Sequence, residues 1–146
     1  MFFQHEKLDV YRAAMSFVKK TDEIIKRLPR GRAYLVDQLQ RAAASIPANI
    51  AEGAGEYSRK DKARFYRIAL RSATECAAFL DIIMELALVE EAEPSDAKKL
   101  IARIVAMLTA MVLKLGDAQE SRSDAVEPDT RCEKRPDGNG SGDRER

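Results

Sequence analysis

The chain holds 146 residues, 45% of them hydrophobic, 34% charged and only 6% aromatic, which is the length of one ordinary domain and a mix that favours helices. Its net charge of +1 excludes a generic polyanion binder, yet that figure averages over unlike parts: residues 1–116 hold 19 Lys/Arg against 15 Asp/Glu, and residues 117–146 hold 6 against 9. Any affinity for nucleic acid must therefore come from a local patch on the body.

At the amino terminus, charges at Glu6, Lys7, Asp9 and Arg12 interrupt the hydrophobic stretch that an export signal needs. Val10, Ala14, Phe17, Val18, Thr21, Ile24, Ile25 and Leu28 then recur at steps of three and four up to Pro29-Arg30-Gly31. This predicts a first helix over about 8–28. Leu35, Leu39, Ala42, Ala43, Ile46 and Ile50 mark a second, ended by Gly53-Ala54-Gly55 and carrying Pro47. A proline there lacks one backbone donor, so a kink at 43–47 is expected.

Ser58 followed by Asp61 is a variant capping box, and it opens a third helix over about 58–87. Glu90-Glu91-Ala92-Glu93-Pro94 interrupts the pattern. Ser95 is the expected cap of a fourth helix, about 96–115, with Leu100, Ile101, Ile104, Leu108, Met111 and Leu115 along it and Gly116 at C′. No stretch alternates as a strand would. The fold class expected is all-α: an antiparallel up-down-up-down four-helix bundle over 1–116, followed by a disordered polar tail over 117–146.

Catalytic chemistry finds little footing. His5 is the single histidine, which excludes histidine-based nucleophilic triads, multi-histidine metal sites and di-iron bundles. Cys76 lies in line with core positions, and Cys132 stands 56 residues away in the tail, so neither a disulfide framework nor a metal site follows. The longest apolar stretch, Ile104–Leu113, is half the length needed to cross a bilayer. The expectation is a cytoplasmic, non-enzymatic protein with no cofactor, no metal, no small-molecule substrate and no membrane association.

On a helical wheel the third helix divides into three sectors. Phe65, Ile68, Ala69, Ser72, Cys76, Phe79 and Ile83 form the expected core stripe. Opposite it, Lys60, Arg64, Arg67 and Arg71 follow one line of about three turns, roughly 16 Å long. That line is either a nucleic-acid-binding surface that meets phosphates or a solvated face partly neutralised by Glu75. The third sector holds Tyr66, Leu70, Ala73, Ala77, Met84 and Leu88; it either flanks helix 1 or 4, or forms an oligomer interface through Tyr66, Leu70, Ala73, Ala77 and Met84.

The run from Gln40 to Leu80 carries Arg41-Ala42-Ala43, then Ser45-Ile46-Pro47-Ala48-Asn49-Ile50-Ala51-Glu52-Gly53, followed by Ser58 and Phe65, and Leu8-Asp9-Val10-Tyr11 opens the first helix. These residues resemble the four-helix bundle family of proteins encoded within intervening sequences of bacterial large-subunit ribosomal RNA, over about residues 5–116. More distantly, the chain is similar to the accessory variability proteins of diversity-generating retroelements. The resemblance implies a homo-oligomer, pentameric in the retroelement branch, and association with RNA, a nucleoprotein or a reverse transcriptase. Arg41, Asn49 and Glu52 in the shared motif are expected to form a structural polar cluster that secures helix 2, with an RNA site as the alternative. The functional expectation is an RNA- or nucleoprotein-binding adaptor; the alternative is a protein–protein interaction module that does not touch nucleic acid.

Overall fold

The computed structural model describes residues 2–123, with side chains described through Gly116. A 3₁₀ turn, Gln4–Lys7, precedes α1 (Asp9–Lys26), α2 (Ala33–Gly55), α3 (Arg59–Glu85) and α4 (Ala92–Ser123). Each helix packs against its two neighbours, α1 on α2 and α4 and α3 on α2 and α4, with no diagonal pair. That pattern is the antiparallel up-down-up-down bundle expected from the sequence. Phe17, Ile24, Leu35, Leu39, Ile46, Ile50, Leu80, Ile83, Ile104 and Leu108 fill its core and are essentially without exposure. Their burial contributes about 1.5–3 kcal/mol apiece.

Local chemistry explains where the helices begin and end. Ser58 caps α3: its Oγ accepts from the Asp61 backbone N–H at 3.0 Å and donates to Asp61 Oδ2 at 2.7 Å. The shorter Asp carboxylate thus binds the capping hydroxyl, where a Glu would reach the backbone. At the other end Leu88 N–H donates to Ile83 O and Ala87 N–H to Met84 O, with Ala87 at φ +49°. This is a Schellman closure built on alanine, in a region that favours glycine. Pro47 lies buried inside α2, which continues through it from Ala33 to Gly55.

Two expectations about α4 are corrected. The helix begins at Ala92, so Ser95 is not its cap: Pro94 occupies the first turn, where a missing donor costs nothing. It also passes through Gly116 to Ser123, because one glycine lowers helix stability by only about 1 kcal/mol relative to alanine. The seven residues 117–123 therefore continue α4, and the remainder of the tail, 124–146, lies outside the described residues.

The phase of α3 is also shifted. Its buried residues are Ala63, Tyr66, Ala69, Ser72, Ala73, Cys76, Leu80 and Ile83, while Phe65, Ile68 and Phe79 are half-buried at the flank. Tyr66 is 5% exposed and Ala73 0%, and Leu70, Ala77 and Met84 are half-buried. Tyr66 shares a cavity wall with Met111 and Leu115 of α4. Of the strip read as an oligomer interface, Tyr66 and Ala73 are thus taken up by the bundle itself, while Leu70, Ala77 and Met84 keep part of their surface in solvent.

Candidate nucleic-acid interface

The α2–α3 contact sets which side of α3 faces water. Gly53 lies directly beneath the Tyr66 ring: a Cβ built on it would stand 2.6 Å from Tyr66 Cε1, 2.9 Å from Cδ1 and 3.2 Å from Phe65 Cβ. Nothing larger than glycine fits beneath this ring without movement of the Tyr66 side chain or of the helices. Eight residues earlier in α2, Ser45 Oγ accepts from Ser72 Oγ at 2.9 Å, and Asn49 Nδ2 donates to Ser45 O at 2.8 Å and to Ser45 Oγ at 2.9 Å. Between them these contacts fix both the register and the rotation of α3 against α2.

The polar cluster differs from the one expected. Asn49 takes part, but its partner is Ser45, which Ser72 also bonds; Arg41 and Glu52 are exposed and form no hydrogen bond or ion pair among the described residues. Both serines were visible in the sequence, Ser45 at a four-residue step from Asn49 and Ser72 within an apolar stripe. A hydroxyl in such a stripe needs a buried partner. That was the available signal.

With α3 so oriented, Lys60, Arg64, Arg67 and Arg71 are all exposed, one above another. None of the four forms an ion pair among the described residues, and Glu75 does not pair with Arg71. Arg64 lays its guanidinium over the Phe65 ring at 4.8 Å from the centroid, which steadies the charge without neutralising it. Lys62 serves otherwise: its Nζ donates to Gly53 O at 3.2 Å and Ala54 O at 3.0 Å, closing the carboxyl end of α2 and offsetting its dipole. Beyond Arg71 the exposed charges on α3 are Glu75, Asp81 and Glu85. The helix is therefore basic in its first half and acidic in its second.

The family described as 23S rRNA-intervening sequence protein matches residues 6–110. The chain belongs to that family. A solved protein of unknown function from the S23 ribosomal protein family of Bacteroides thetaiotaomicron is 22% identical, with a TM-score of 0.66, covering 70% of this chain and 97% of its own. At that identity the likeness concerns the fold alone. No curated protein matches the chain. In this intervening-sequence family member the motif from Ser45 to Gly53 is accounted for by packing: Ile46, Pro47 and Ile50 are core, Asn49 braces Ser45, and Gly53 admits Tyr66.

Other groups supply no catalytic constellation among the described residues. No set of His, Cys, Asp and Glu could hold a metal, and no helix is long and apolar enough to cross a membrane. His5 is stacked on Phe3, ring centroids 5.6 Å apart, and meets Tyr11 edge-on at 4.6 Å. Burial pushes the Cys76 thiol up to about 12, with the Glu75 charge adding to it, so the nucleophilic thiolate is scarce at neutral pH.

Proposed function

We propose that the protein is a non-enzymatic RNA-binding or nucleoprotein-binding adaptor that holds phosphates along Lys60, Arg64, Arg67 and Arg71. One observation carries the reading: four exposed cations follow one helix face, and none has an acidic partner among the described residues. Like charges at these spacings repel by a few tenths of a kcal/mol per pair, so the line costs the isolated helix stability that an anionic ligand would return. Binding of this kind is insensitive to base sequence and sensitive to salt. In a homo-oligomer, pentameric by the resemblance, the line would be repeated on each subunit, and one long RNA would gain affinity by engaging several. Such an assembly would not draw on Tyr66 or Ala73, which the bundle buries.

The test is RNA binding by anisotropy across a salt series, comparing wild type with the Arg64→Glu/Arg67→Glu variant. Both positions are exposed, so helicity should not change. We expect the variant to lose binding at physiological salt and to show a flatter dependence of log affinity on log salt, by roughly 0.7–0.9 for each contact removed. Equal affinity in the two proteins would overturn the assignment and favour a module that binds an acidic protein surface, such as one on a reverse transcriptase.

A further inference from the structure

The end of the bundle where α3 begins carries aromatic rings that the core does not use. Phe2 and Phe3 are 97% and 62% exposed, and Tyr57, in the short link between α2 and α3, is fully exposed. Single exposed apolar residues are ordinary. Here, however, one of these rings is held in place: Tyr11 meets His5 edge-on, His5 stacks on Phe3 with 16° between their planes, and the Phe3 ring ends this column in solvent. The Phe3 backbone N–H donates to Glu6 Oε2 at 2.9 Å, which holds the turn that carries the ring.

Beside the column is a cavity of about 450 Å³ between the amino-terminal turn and the last turn of α2, walled by Phe3, His5, Glu52 and Glu56. Glu56 immediately precedes Tyr57, and Lys60, the first cation of the line, is three residues further on. The two surfaces therefore adjoin but differ in chemistry. Glu52 and Glu56 repel phosphate from the cavity, and they can accept hydrogen bonds from the exocyclic amino groups of a base. An uncharged, flat, partly polar ligand suits this end, and phosphates suit α3. Unpaired nucleotides present both parts at once; a duplex keeps its bases stacked internally and offers only its backbone and grooves.

Building on the phosphate-binding reading above, we propose that Phe3 and Tyr57 form a stacking platform for an unpaired base of an RNA whose phosphates follow the α3 line, so that the ligand is single-stranded RNA. A base stacked on an aromatic ring contributes about 1–3 kcal/mol by alanine substitution, equivalent to a change of roughly 5- to 150-fold in affinity.

The chain contains no tryptophan, so Tyr57→Trp introduces a single indole as a reporter. A 12-nucleotide single-stranded oligomer should quench this indole saturably, and the duplex of the same sequence should bind more weakly and leave its emission unchanged. Phe3→Ala and Tyr57→Ala should each weaken single-strand binding within the range above without altering the salt slope, because stacking releases no counterions. The Arg64→Glu/Arg67→Glu variant, by contrast, flattens that slope. Equal affinity for single strand and duplex, or full single-strand affinity in both alanine variants, would overturn the platform, while loss of binding in the double Glu variant would leave the phosphate line standing. Absence of binding to either RNA by the wild type would remove the phosphate line and the platform with it. Thermal melts of the alanine variants should superimpose on wild type, since Tyr57 is fully exposed and Phe3 packs outside the core.

Discussion

Replacing Gly53 by alanine sets two calculable effects against each other. Gly53 lies in the last turn of α2, and in a helix alanine is favoured over glycine by about 1 kcal/mol. The new methyl, however, would sit 2.6 Å from Tyr66 Cε1 and 2.9 Å from Cδ1, both well inside contact distance. Tyr66 is 5% exposed, so its ring must shift against α4 or α3 must move away from α2. Overpacking of this kind costs about 1–3 kcal/mol. Most of that range exceeds the helix gain, and we expect a net loss of about 0–2 kcal/mol. The assay is urea unfolding of Gly53→Ala, Tyr66→Val and the double variant, monitored by helical circular dichroism. With the ring removed, Gly53→Ala should lose its penalty and keep its helix benefit, so the cycle should show a coupling of about 2 kcal/mol. If Gly53→Ala stabilises the wild-type chain, or if the two substitutions are additive within about 0.5 kcal/mol, then the glycine does not serve to admit Tyr66 and the reasoning fails.

Two further outcomes follow from buried groups. Thr21 is 1% exposed and its Oγ1 has no hydrogen-bond partner among the described residues; Thr21→Val keeps the branched shape and removes that hydroxyl, so the midpoint of denaturation should rise by the equivalent of about 1–2 kcal/mol. Cys76 is held well above its usual value of 9, at about 12, so the folded chain retains the proton that the unfolded chain releases above pH 9. Stability should therefore be unaffected below that pH and fall as pH rises through 9 towards 12, and urea titrations on Cys76→Ala should show a shallower decline than wild type.

The bundle itself was legible because helix spacing and breaking signals are local: Pro29, Ser58 and the Glu90–Pro94 run all fall between helices or in the first turn of the next. Rotation of α3 was harder to read. The large residues Phe65, Ile68 and Phe79 draw the apparent apolar centre towards themselves, yet helices that approach closely place their smallest residues at the contact. Here Ala63, Ala69 and Ala73 are central and the phenylalanines flank them. The polar cluster was misread for a related reason. Arg41 and Glu52 stand out as charges within a shared motif, whereas the bond that matters joins two serines 27 positions apart, and no local spacing reports it. The line from Lys60 to Arg71 was readable because exposure on one helix follows periodicity alone.

The run of α4 to Ser123 places the start of the tail at the same end of the bundle as the head of the cationic line, since Lys114 and Leu115 border Arg59, Lys62 and Tyr66. Residues 117–146 net −3, so along the chain the charge changes sign just past the point where α4 passes Arg59 and Lys62. That net negative charge belongs to the same molecule as the cationic line, so dilution does not separate the two. On the proposed function, an RNA would meet this like-charge repulsion as well as competition from salt, which favours longer strands over short fragments.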